Sequence, residues 1–317
     1  MVISFKNSVP DFHIDAPPSK SIYHRELIVR FLCGDTSHLE EVPGDNEDVR
    51  ATKAVLRALH EFDNGDVILP CNESGSTLRF MIPVAAAYLL GSGRTNVSDS
   101  STGPRLIFTT KGRLFDRPLD ELEHAMTPHG ISFKRDAETR SIIVTGEMTP
   151  GEYEINASVS SQYISGLIMA LTLFKEKSVL KLSGEIKSLH YIELTQDTLK
   201  KYNSPADFKD NCYYPAHNGY RNPDGSAFES LNGDFNVEGD WSNGAFLLCM
   251  KDFSDITVGN LNIASRQGDR AILDYLSAVH AKAESEITWD CSDIPDIVPY
   301  MAMVAPFSFE KTIFTGI

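Results

Sequence analysis

Long apolar runs are missing from this sequence. The longest apolar stretch extends from Phe80 to Leu90, far short of the roughly 20 residues that a membrane-spanning helix needs. The first fifteen residues carry two acidic side chains and no apolar core, so they do not resemble a secretory signal peptide. We therefore expect a cytoplasmic protein without a membrane anchor.

Cysteine and positive charge are also scarce. The five cysteines are scattered and form no CxxC pair, which argues against a disulfide framework or a zinc site. The 44 Asp and Glu residues outnumber the 29 Lys and Arg residues and give a net charge of -15. That balance argues against nucleic acid or an anionic membrane as the main partner. Small anionic substrates stay possible, because a local group of cations can oppose the overall charge.

The length and composition are those of an ordinary globular protein. The chain has 317 residues, of which 42% are apolar and 23% charged. At roughly 100–200 residues per domain, this length favours two domains.

Apolar helical segments recur along the chain, and each begins with small or polar residues. They lie near Ser21, Gly75, Ser161, Trp241 and Pro295. Because these segments are apolar on most faces, we expect the helices to be buried.

Amphipathic helical segments alternate with the apolar ones. They start at Asp48, Pro118, Tyr191 and Asp269, at intervals of 70, 73 and 78 residues. Short runs rich in β-branched residues lie between them and are typical of strands. The pattern predicts an α/β or α+β architecture built from repeats. Residues 203–232 interrupt the pattern and are predicted to form a long loop or insertion.

Two of the predicted helix starts carry groups suited to anion binding. Lys20 and Ser21 stand where a helix begins, so a cation and free backbone N–H groups would converge there. Arg25 returns to nearly the same helical face. Ser160 and Ser161 offer two hydroxyls at another start, which suits a phosphate monoester. Each feature alone is equally compatible with an ordinary capped or solvated helix start.

Three further positions add to this set. Gly75 would let a ligand approach the backbone, and Ser76 beside it can donate a hydrogen bond. Arg117 precedes a proline at a helix start and can turn into a cleft. Asp296 is a carboxylate at the start of an apolar helix, where it could accept a proton. A helix cap or a surface ion pair would explain each of them singly. Together they predict one site for a ligand with several negative charges.

In order, the motifs resemble those of the 5-enolpyruvylshikimate-3-phosphate (EPSP) synthase family, the 3-phosphoshikimate 1-carboxyvinyltransferases. The related UDP-N-acetylglucosamine enolpyruvyl transferases fit less well, because the Ser-Ser-Gln and Asp-Arg-Pro motifs favour the shikimate family. The matching segments are PPSKSIYHR, DNEDVRATKAVLRAL, ESGSTLRF, DRPLDEL, SVSSQYISGLIMA, SLHYIELT, VEGDWSNGAF, GDRAILDYL and DIPDIVPYMA.

The resemblance implies an inside-out α/β repeat fold with two domains of repeated βαβαββ units. One domain, discontinuous and truncated, would comprise residues 1–15 with 236–317. The other would be a complete domain of three repeat units, residues 16–235. The implied reaction joins shikimate 3-phosphate to phosphoenolpyruvate through a tetrahedral intermediate and releases phosphate. It implies a monomeric enzyme of the shikimate pathway, which leads to chorismate and the aromatic amino acids, with no metal or organic cofactor.

The resemblance also implies roles for individual residues. Lys20 would contact both substrates, and Asp296 would act as the general base at the 5-hydroxyl. Contacts with shikimate 3-phosphate are implied for Lys20, Ser21, Arg25, Ser160, Ser161, Gln162, Ser188, Tyr191 and Asp296. Contacts with phosphoenolpyruvate are implied for Lys20, Gly75, Ser76, Arg117 and Gln162.

Two departures from the family pattern affect the expected activity. Glu73 stands where the family often has asparagine, which adds negative charge near an anionic ligand unless the side chain points away. The late Lys-Glu-x-Asp-Arg motif, a further arginine motif and a late lysine are absent. We expect either a shortened EPSP synthase chain with an incomplete second domain and severely impaired turnover, or a non-catalytic remnant or module that binds shikimate 3-phosphate.

Overall fold

The chain divides into two compact units. A computed structural model describes residues 12–91, 103–221, 236–251, 256–281 and 285–317. One unit, here called the discontinuous unit, consists of Met1–Ser19 with Asn236–Ile317. The other, here called the continuous unit, consists of Lys20–Phe235.

The segments predicted as helices form helices. Four of them begin at a polar side chain that accepts a hydrogen bond from the first turn, which satisfies a backbone N–H that would otherwise lack a partner. These capping residues are Asn46, Ser74, Ser160 and Asp240. The helices are α1 Lys20–Leu32, α2 Glu47–His60, α3 Gly75–Leu89, α4 Asp120–Met126, α5 Ser161–Leu171, α6 Leu189–Lys201, α7 Trp241–Met250, α8 Ile272–Ala281 and α9 Val298–Val304.

The strands of the continuous unit show the internal repeat directly. Two four-stranded sheets have the orders β2-β3-β5-β4 and β6-β7-β9-β8, each with one parallel pair followed by two antiparallel pairs. Each sheet is therefore one βαβαββ unit, with α3 and α4 in the first and α5 and α6 in the second. The strands are β2 Val67–Asn72, β3 Leu106–Thr110, β4 Ile131–Asp136, β5 Ser141–Gly146, β6 Glu152–Asn156, β7 Val179–Ser183, β8 Ala206–Lys209 and β9 Cys212–Pro215.

The apolar helices form the centre of the continuous unit. α1 is buried without interruption from His24 to Leu32, and α5 from Tyr163 to Leu171. α5 crosses α3 closely at Gly166, where a Cβ atom would lie 2.9 Å from the Arg79 carbonyl oxygen. Only glycine fits there without displacing the α3 backbone. This packing brings the beginnings of α3 and α5 close together.

The discontinuous unit contains two parallel strand pairs, and the strands of the second pair are joined through α9. β1 Phe12–Asp15 pairs with β10 Ile256–Gly259, and β11 Glu286–Asp290 pairs with β12 Lys311–Thr315. Tyr275 lies at the centre of its core, with its ring centroid 5.2 Å from that of Trp289 and its hydroxyl donating to the Met301 carbonyl at 3.1 Å.

Two sequence predictions about these elements are wrong. α7 and α9 were expected to be buried on most faces, yet Phe246 is 43% exposed and only Met301 and Val304 of α9 are buried. Residues 203–232 were expected to form a loop or insertion, but residues 206–215 form the β8–β9 hairpin of the second sheet. Residues 222–232 lie outside the described part of the chain.

Candidate active site

The first helix of the continuous unit begins at the proposed substrate lysine. The Nζ of Lys20 lies 2.8 Å from Oδ2 of Asp48, which is in the first turn of α2. Partial burial opposes ionisation of Asp48, but the hydrogen bond and charge of Lys20 outweigh it and hold the pKa of that carboxyl below its usual value. Lys20 is therefore held at a fixed point while almost half of its side chain stays exposed.

Arg25 is buried beneath this point, with 1% of its surface exposed. Its guanidinium donates to the Ser21 carbonyl at 2.6 Å, the Tyr191 carbonyl at 2.7 Å and the Thr195 hydroxyl at 2.7 Å. No carboxylate in the described residues pairs with it. Burial lowers the pKa of Arg25 to about 10, so it is still charged near neutral pH. An uncompensated buried cation favours an anion nearby.

Gln162 joins the starts of α3 and α5. Its Nε2 donates to the Ser76 hydroxyl at 2.9 Å, and its Oε1 accepts from Nη1 of Arg79 at 2.9 Å. The Arg79 guanidinium lies 5.5 Å from the centroid of the Tyr163 ring. The Gln162 amide of one repeat unit thus makes hydrogen bonds with a cation and a hydroxyl of the other.

Arg117 lies against the start of α3. A Cβ atom at Gly75 would be 3.0 Å from Nη1 of Arg117, so glycine at this position allows the guanidinium to approach the backbone. Arg113, Asp116, Arg117 and Pro118 line a cleft of about 350 Å³. The Glu73 carboxylate is turned against Gly112 at the beginning of the same loop.

The remaining predicted residues lie at the starts of α5 and α6. Ser160 caps α5, and its hydroxyl accepts from the Gln162 N–H at 3.3 Å. Ser188 precedes α6 with φ 54°, a left-handed conformation that is costly for a residue other than glycine. The structure brings Lys20, Ser21, Arg25, Gly75, Ser76, Arg117, Ser160, Ser161, Gln162, Ser188 and Tyr191 into the continuous unit.

Asp296 belongs to the discontinuous unit, in a 3₁₀ turn before α9. It is exposed, and its charge acts on Asp269, a buried carboxyl that accepts a short hydrogen bond from the Ser242 hydroxyl. Burial raises the pKa of Asp269 to about 6, and the charges of Asp296 and Asp240 add to the increase. The turn that carries Asp296 thus lies near a second carboxyl, Asp269, whose pKa is raised.

The raised pKa predicts that Asp269→Asn stabilises the discontinuous unit at neutral pH. The folded wild type keeps this proton up to about pH 6, whereas an unfolded aspartate loses it near pH 3.9. Wild-type stability should therefore fall as the pH rises from about 4 to about 6. Asn cannot ionise, so the variant should be more stable at pH 7 by on the order of 2–3 kcal/mol, with the difference vanishing near pH 4.

Urea unfolding followed by tryptophan fluorescence measures this difference, because Trp241 and Trp289 both lie in the discontinuous unit. Exposed Asp274 on α8 gives the control, and Asp274→Asn should leave the profile unchanged. If the stability of Asp269→Asn depended on pH as that of the wild type does, the raised pKa of Asp269 would be contradicted.

Two residues of this site were not among the predicted contacts. Asp48 holds Lys20, and Arg79 holds Gln162. Both are in the quoted family motifs, but an acid in a first helical turn and an arginine on an amphipathic face have ordinary surface roles. Only the packing of α1 on α2 and of α3 on α5 shows that they face the other site residues.

Comparison with known proteins places the chain in a family. The family model for EPSP synthase (3-phosphoshikimate 1-carboxyvinyltransferase) matches residues 11–317. The chain belongs to the EPSP synthase family. The resemblance read from the ordered motifs is thereby confirmed.

Curated relatives agree with this family. The 3-phosphoshikimate 1-carboxyvinyltransferase of Clostridium novyi is 30% identical over 340 aligned residues, which cover 94% of this chain and 72% of the relative. That of Clostridioides difficile is 26% identical with the same coverage.

Solved structures of EPSP synthases and a related transferase share the fold. EPSP synthase from Acinetobacter baumannii matches with a TM-score of 0.57 at 14% identity, over 85% of this chain. The enolpyruvyl transferase NikO from Streptomyces tendae matches with a TM-score of 0.52 at 11% identity, over 95% of this chain and 74% of NikO. The predicted α/β repeat fold is confirmed. The chain spans 59% of the length of the Acinetobacter protein.

Two features are absent from the described residues. No helix there combines the length and apolarity that crossing a bilayer requires. No group of three His, Cys, Asp or Glu side chains in that part of the chain is placed to hold a metal ion.

Proposed function

We propose that this chain binds shikimate 3-phosphate and phosphoenolpyruvate and transfers the enolpyruvyl group to the 5-hydroxyl of shikimate 3-phosphate, releasing phosphate. The observation that carries the proposal is the Ser76–Gln162–Arg79 bridge, which joins the starts of two repeat-unit helices. Helix starts attract anions through their free N–H groups and their dipoles. Membership of the EPSP synthase family supports the choice of ligands.

The proposed binding roles follow from this arrangement. Ser160, Ser161 and Ser188 would bind the 3-phosphate, with Gln162 and Tyr191 against the shikimate ring. Gly75, Ser76 and Arg117 would face phosphoenolpyruvate, and Lys20 would contact both ligands. The full contact sets are those given above for each substrate.

Arg25 takes a modified role in this proposal. Its guanidinium is buried and already donates to the Ser21 and Tyr191 carbonyls. We propose that Ser21 contacts the shikimate carboxylate directly. The buried positive charge of Arg25 would stabilise that carboxylate without touching it. Positive charge fixed in a buried position acts on an anion without reorganising during the reaction.

Asp296 is the proposed general base. Its carboxylate would accept the proton of the 5-hydroxyl as that oxygen bonds to C2 of phosphoenolpyruvate. A proton added to C3 completes the tetrahedral intermediate. Loss of a C3 proton and cleavage of the C2–oxygen bond to phosphate then give the enolpyruvyl ether and phosphate. Asp296 belongs to the discontinuous unit and Lys20 to the continuous unit.

A binding module without turnover is the second candidate. The observation that favours it is that every group proposed for shikimate 3-phosphate, except Asp296, lies in the continuous unit. We also propose a monomer in the cytoplasm, in keeping with a biosynthetic family of this kind.

Phosphate release in the presence of both substrates separates these candidates. An enzyme should release phosphate only when both substrates are present, and Asp296→Asn should slow the release. Binding of shikimate 3-phosphate without any release would support the module. Neither binding nor release by folded protein would contradict the proposal.

Ser161→Ala is expected to weaken binding of shikimate 3-phosphate by about 10- to 100-fold. The change removes one hydrogen bond to a charged phosphate at the start of α5, a contact of roughly 1.5–3 kcal/mol. Isothermal titration calorimetry measures the affinity. Ser178 provides the control, because it is equally buried in the continuous unit but precedes a strand. If Ser161→Ala and Ser178→Ala bound shikimate 3-phosphate with equal affinity, Ser161 would not belong to the binding site.

A further inference from the structure

A buried histidine lies one helical turn after Lys20. His24 is 1% exposed, and its Nδ1 is 2.8 Å from the Thr52 hydroxyl on α2. Its Nε2 has no hydrogen-bond partner in the described residues. Burial lowers the pKa of His24 to about 3, so the ring is neutral at any pH where the protein works. The proposed reaction does not use this side chain.

Hydroxyl groups connect His24 to the ion pair at Lys20. The Thr52 hydroxyl is 2.7 Å from the Thr77 hydroxyl, which donates to the Ser74 hydroxyl at 2.7 Å. The Thr77 hydroxyl oxygen also lies 3.2 Å from the Asp48 carbonyl oxygen, and the Asp48 carboxylate holds Lys20. Both threonines are 0% exposed. The row of groups from His24 through Thr52 and Thr77 to Ser74 and the Asp48 carbonyl is called the hydroxyl chain below.

The direction of these hydrogen bonds can be worked out from the Thr77 end. The Ser74 oxygen accepts from the Thr77 backbone N–H at 3.2 Å and from the Thr77 hydroxyl. The Thr77 hydroxyl oxygen also lies 3.2 Å from the Asp48 carbonyl oxygen, which can only accept. These bonds use the single hydroxyl proton of Thr77. Thr77 must therefore accept from Thr52.

The same reasoning fixes the histidine tautomer. The Thr52 hydroxyl donates its only proton to Thr77, so the Thr52 oxygen must accept a hydrogen bond from His24. The proton of the neutral ring then lies on Nδ1, and Nε2 carries a lone pair. A buried acceptor without a partner is tolerated more often than a buried N–H without one. The absence of a partner at Nε2 therefore agrees with this direction.

We propose that His24 is a positioning residue for Lys20, acting through the hydroxyl chain. Each ring or hydroxyl group donates to the next, and such chains polarise and strengthen one another in a low-dielectric interior. The chain fixes the backbone of Asp48 at the start of α2 through its carbonyl, and the Asp48 carboxylate fixes the Lys20 ammonium. The chain also ends on Ser74, the residue that caps α3 directly before Gly75. The inference rests on the proposed function in one respect, namely that Lys20 contacts the substrate.

The tautomer can be measured without any ligand. In protein labelled with ¹⁵N at histidine, long-range proton–nitrogen spectra distinguish a protonated from a bare ring nitrogen, and the His24→Gln spectrum assigns the signal. We expect wild-type His24 to carry its proton on Nδ1. Thr77→Val should change the His24 signals, because valine keeps the shape but breaks the chain. A proton on Nε2 in the wild type would overturn the proposal.

Substrate affinity gives the second readout. Thr52→Val and Thr77→Val should each weaken shikimate 3-phosphate binding about 5- to 20-fold, and Thr52→Ser should restore it because serine keeps the hydroxyl. Thr198→Val is the control, since the buried Thr198 hydroxyl donates only to the Leu194 carbonyl on α6. Folded Thr52 and Thr77 variants with wild-type affinity would also overturn the proposal. A wild type that binds no shikimate 3-phosphate would instead contradict the proposed function, and the tautomer measurement would still test the hydroxyl chain.

Discussion

Lys20→Met is expected to weaken shikimate 3-phosphate binding by about 100-fold and to abolish any enolpyruvyl transfer. The change removes the cation proposed to contact both substrates and leaves the Asp48 carboxylate without its partner, 2.8 Å from where the ammonium was. An unpaired carboxylate then repels the anionic ligand. A hydrogen bond from the Lys20 ammonium to an anionic ligand contributes roughly 1.5–3 kcal/mol, and a 100-fold loss of affinity corresponds to about 2.8 kcal/mol.

A second change on the same pair tests the physical reason. Adding Asp48→Asn to Lys20→Met removes the repelling charge, so the double variant should bind more tightly than Lys20→Met alone. Lys200→Met, at an exposed lysine near the end of α6, should leave affinity unchanged. Calorimetric titration measures all three variants. Wild-type affinity in folded Lys20→Met protein would exclude Lys20 from the site.

Lys53→Met is expected to lower the free energy of unfolding of the continuous unit by roughly 3–5 kcal/mol. Lys53 and Asp45 are both almost fully buried, with Nζ and Oδ2 2.8 Å apart. Asp45 also accepts from the Val42 N–H at 2.9 Å and the Tyr23 hydroxyl at 3.1 Å. Methionine keeps most of the side-chain volume but leaves a buried carboxylate without its counter-charge.

Urea unfolding followed by circular dichroism measures this loss. Lys200→Met serves as the control, because an exposed ion pair contributes at most about 1 kcal/mol. Lys53→Met/Asp45→Asn should recover part of the lost stability, since the amide carries no charge. A loss in Lys53→Met no larger than that in Lys200→Met would show that the buried pair does not stabilise the continuous unit.

The helices of this fold could be predicted because their signals are local. Apolar periodicity and capping residues such as Ser74 and Asp240 mark helix positions within a few residues. The β8–β9 hairpin was missed because its short strands are mixed with Asn, Asp and Tyr, and pairing with β7 decides their structure. The exposure of α7 and α9 was also missed. Apolar composition predicts that a face tends to be covered, but not whether a neighbouring element covers it.

The candidate site was predictable to the extent that it consists of helix starts. Lys20, Gly75 and Ser161 each begin a helix, as their local sequence indicates. The partners that hold these starts come from other helices, so local sequence does not reveal them. The pairing of Asp48 with Lys20 depends on α1 packing against α2. The burial of Arg25 likewise depends on α6, because its guanidinium donates to the Thr195 hydroxyl and the Tyr191 carbonyl of that helix.

The whole chain carries a negative net charge, whereas the candidate site is positively charged, and the structure explains this difference. The net charge is -15, yet Lys20, Arg25, Arg79 and Arg117 lie at or beside helix starts of the continuous unit. Helix N-termini add partial positive charge to these cations. The local potential that a small anion meets is therefore decided by a few fixed groups rather than by the total charge.

Titration of the wild-type chain with shikimate 3-phosphate in a calorimeter tests the central claim most directly. The account predicts saturable binding to one site per chain, weakened by salt because the contacts are ionic. Titration at two temperatures guards against a binding enthalpy that happens to be near zero at one of them. Protein that is folded by circular dichroism and yet shows no saturable binding at either temperature would contradict the account.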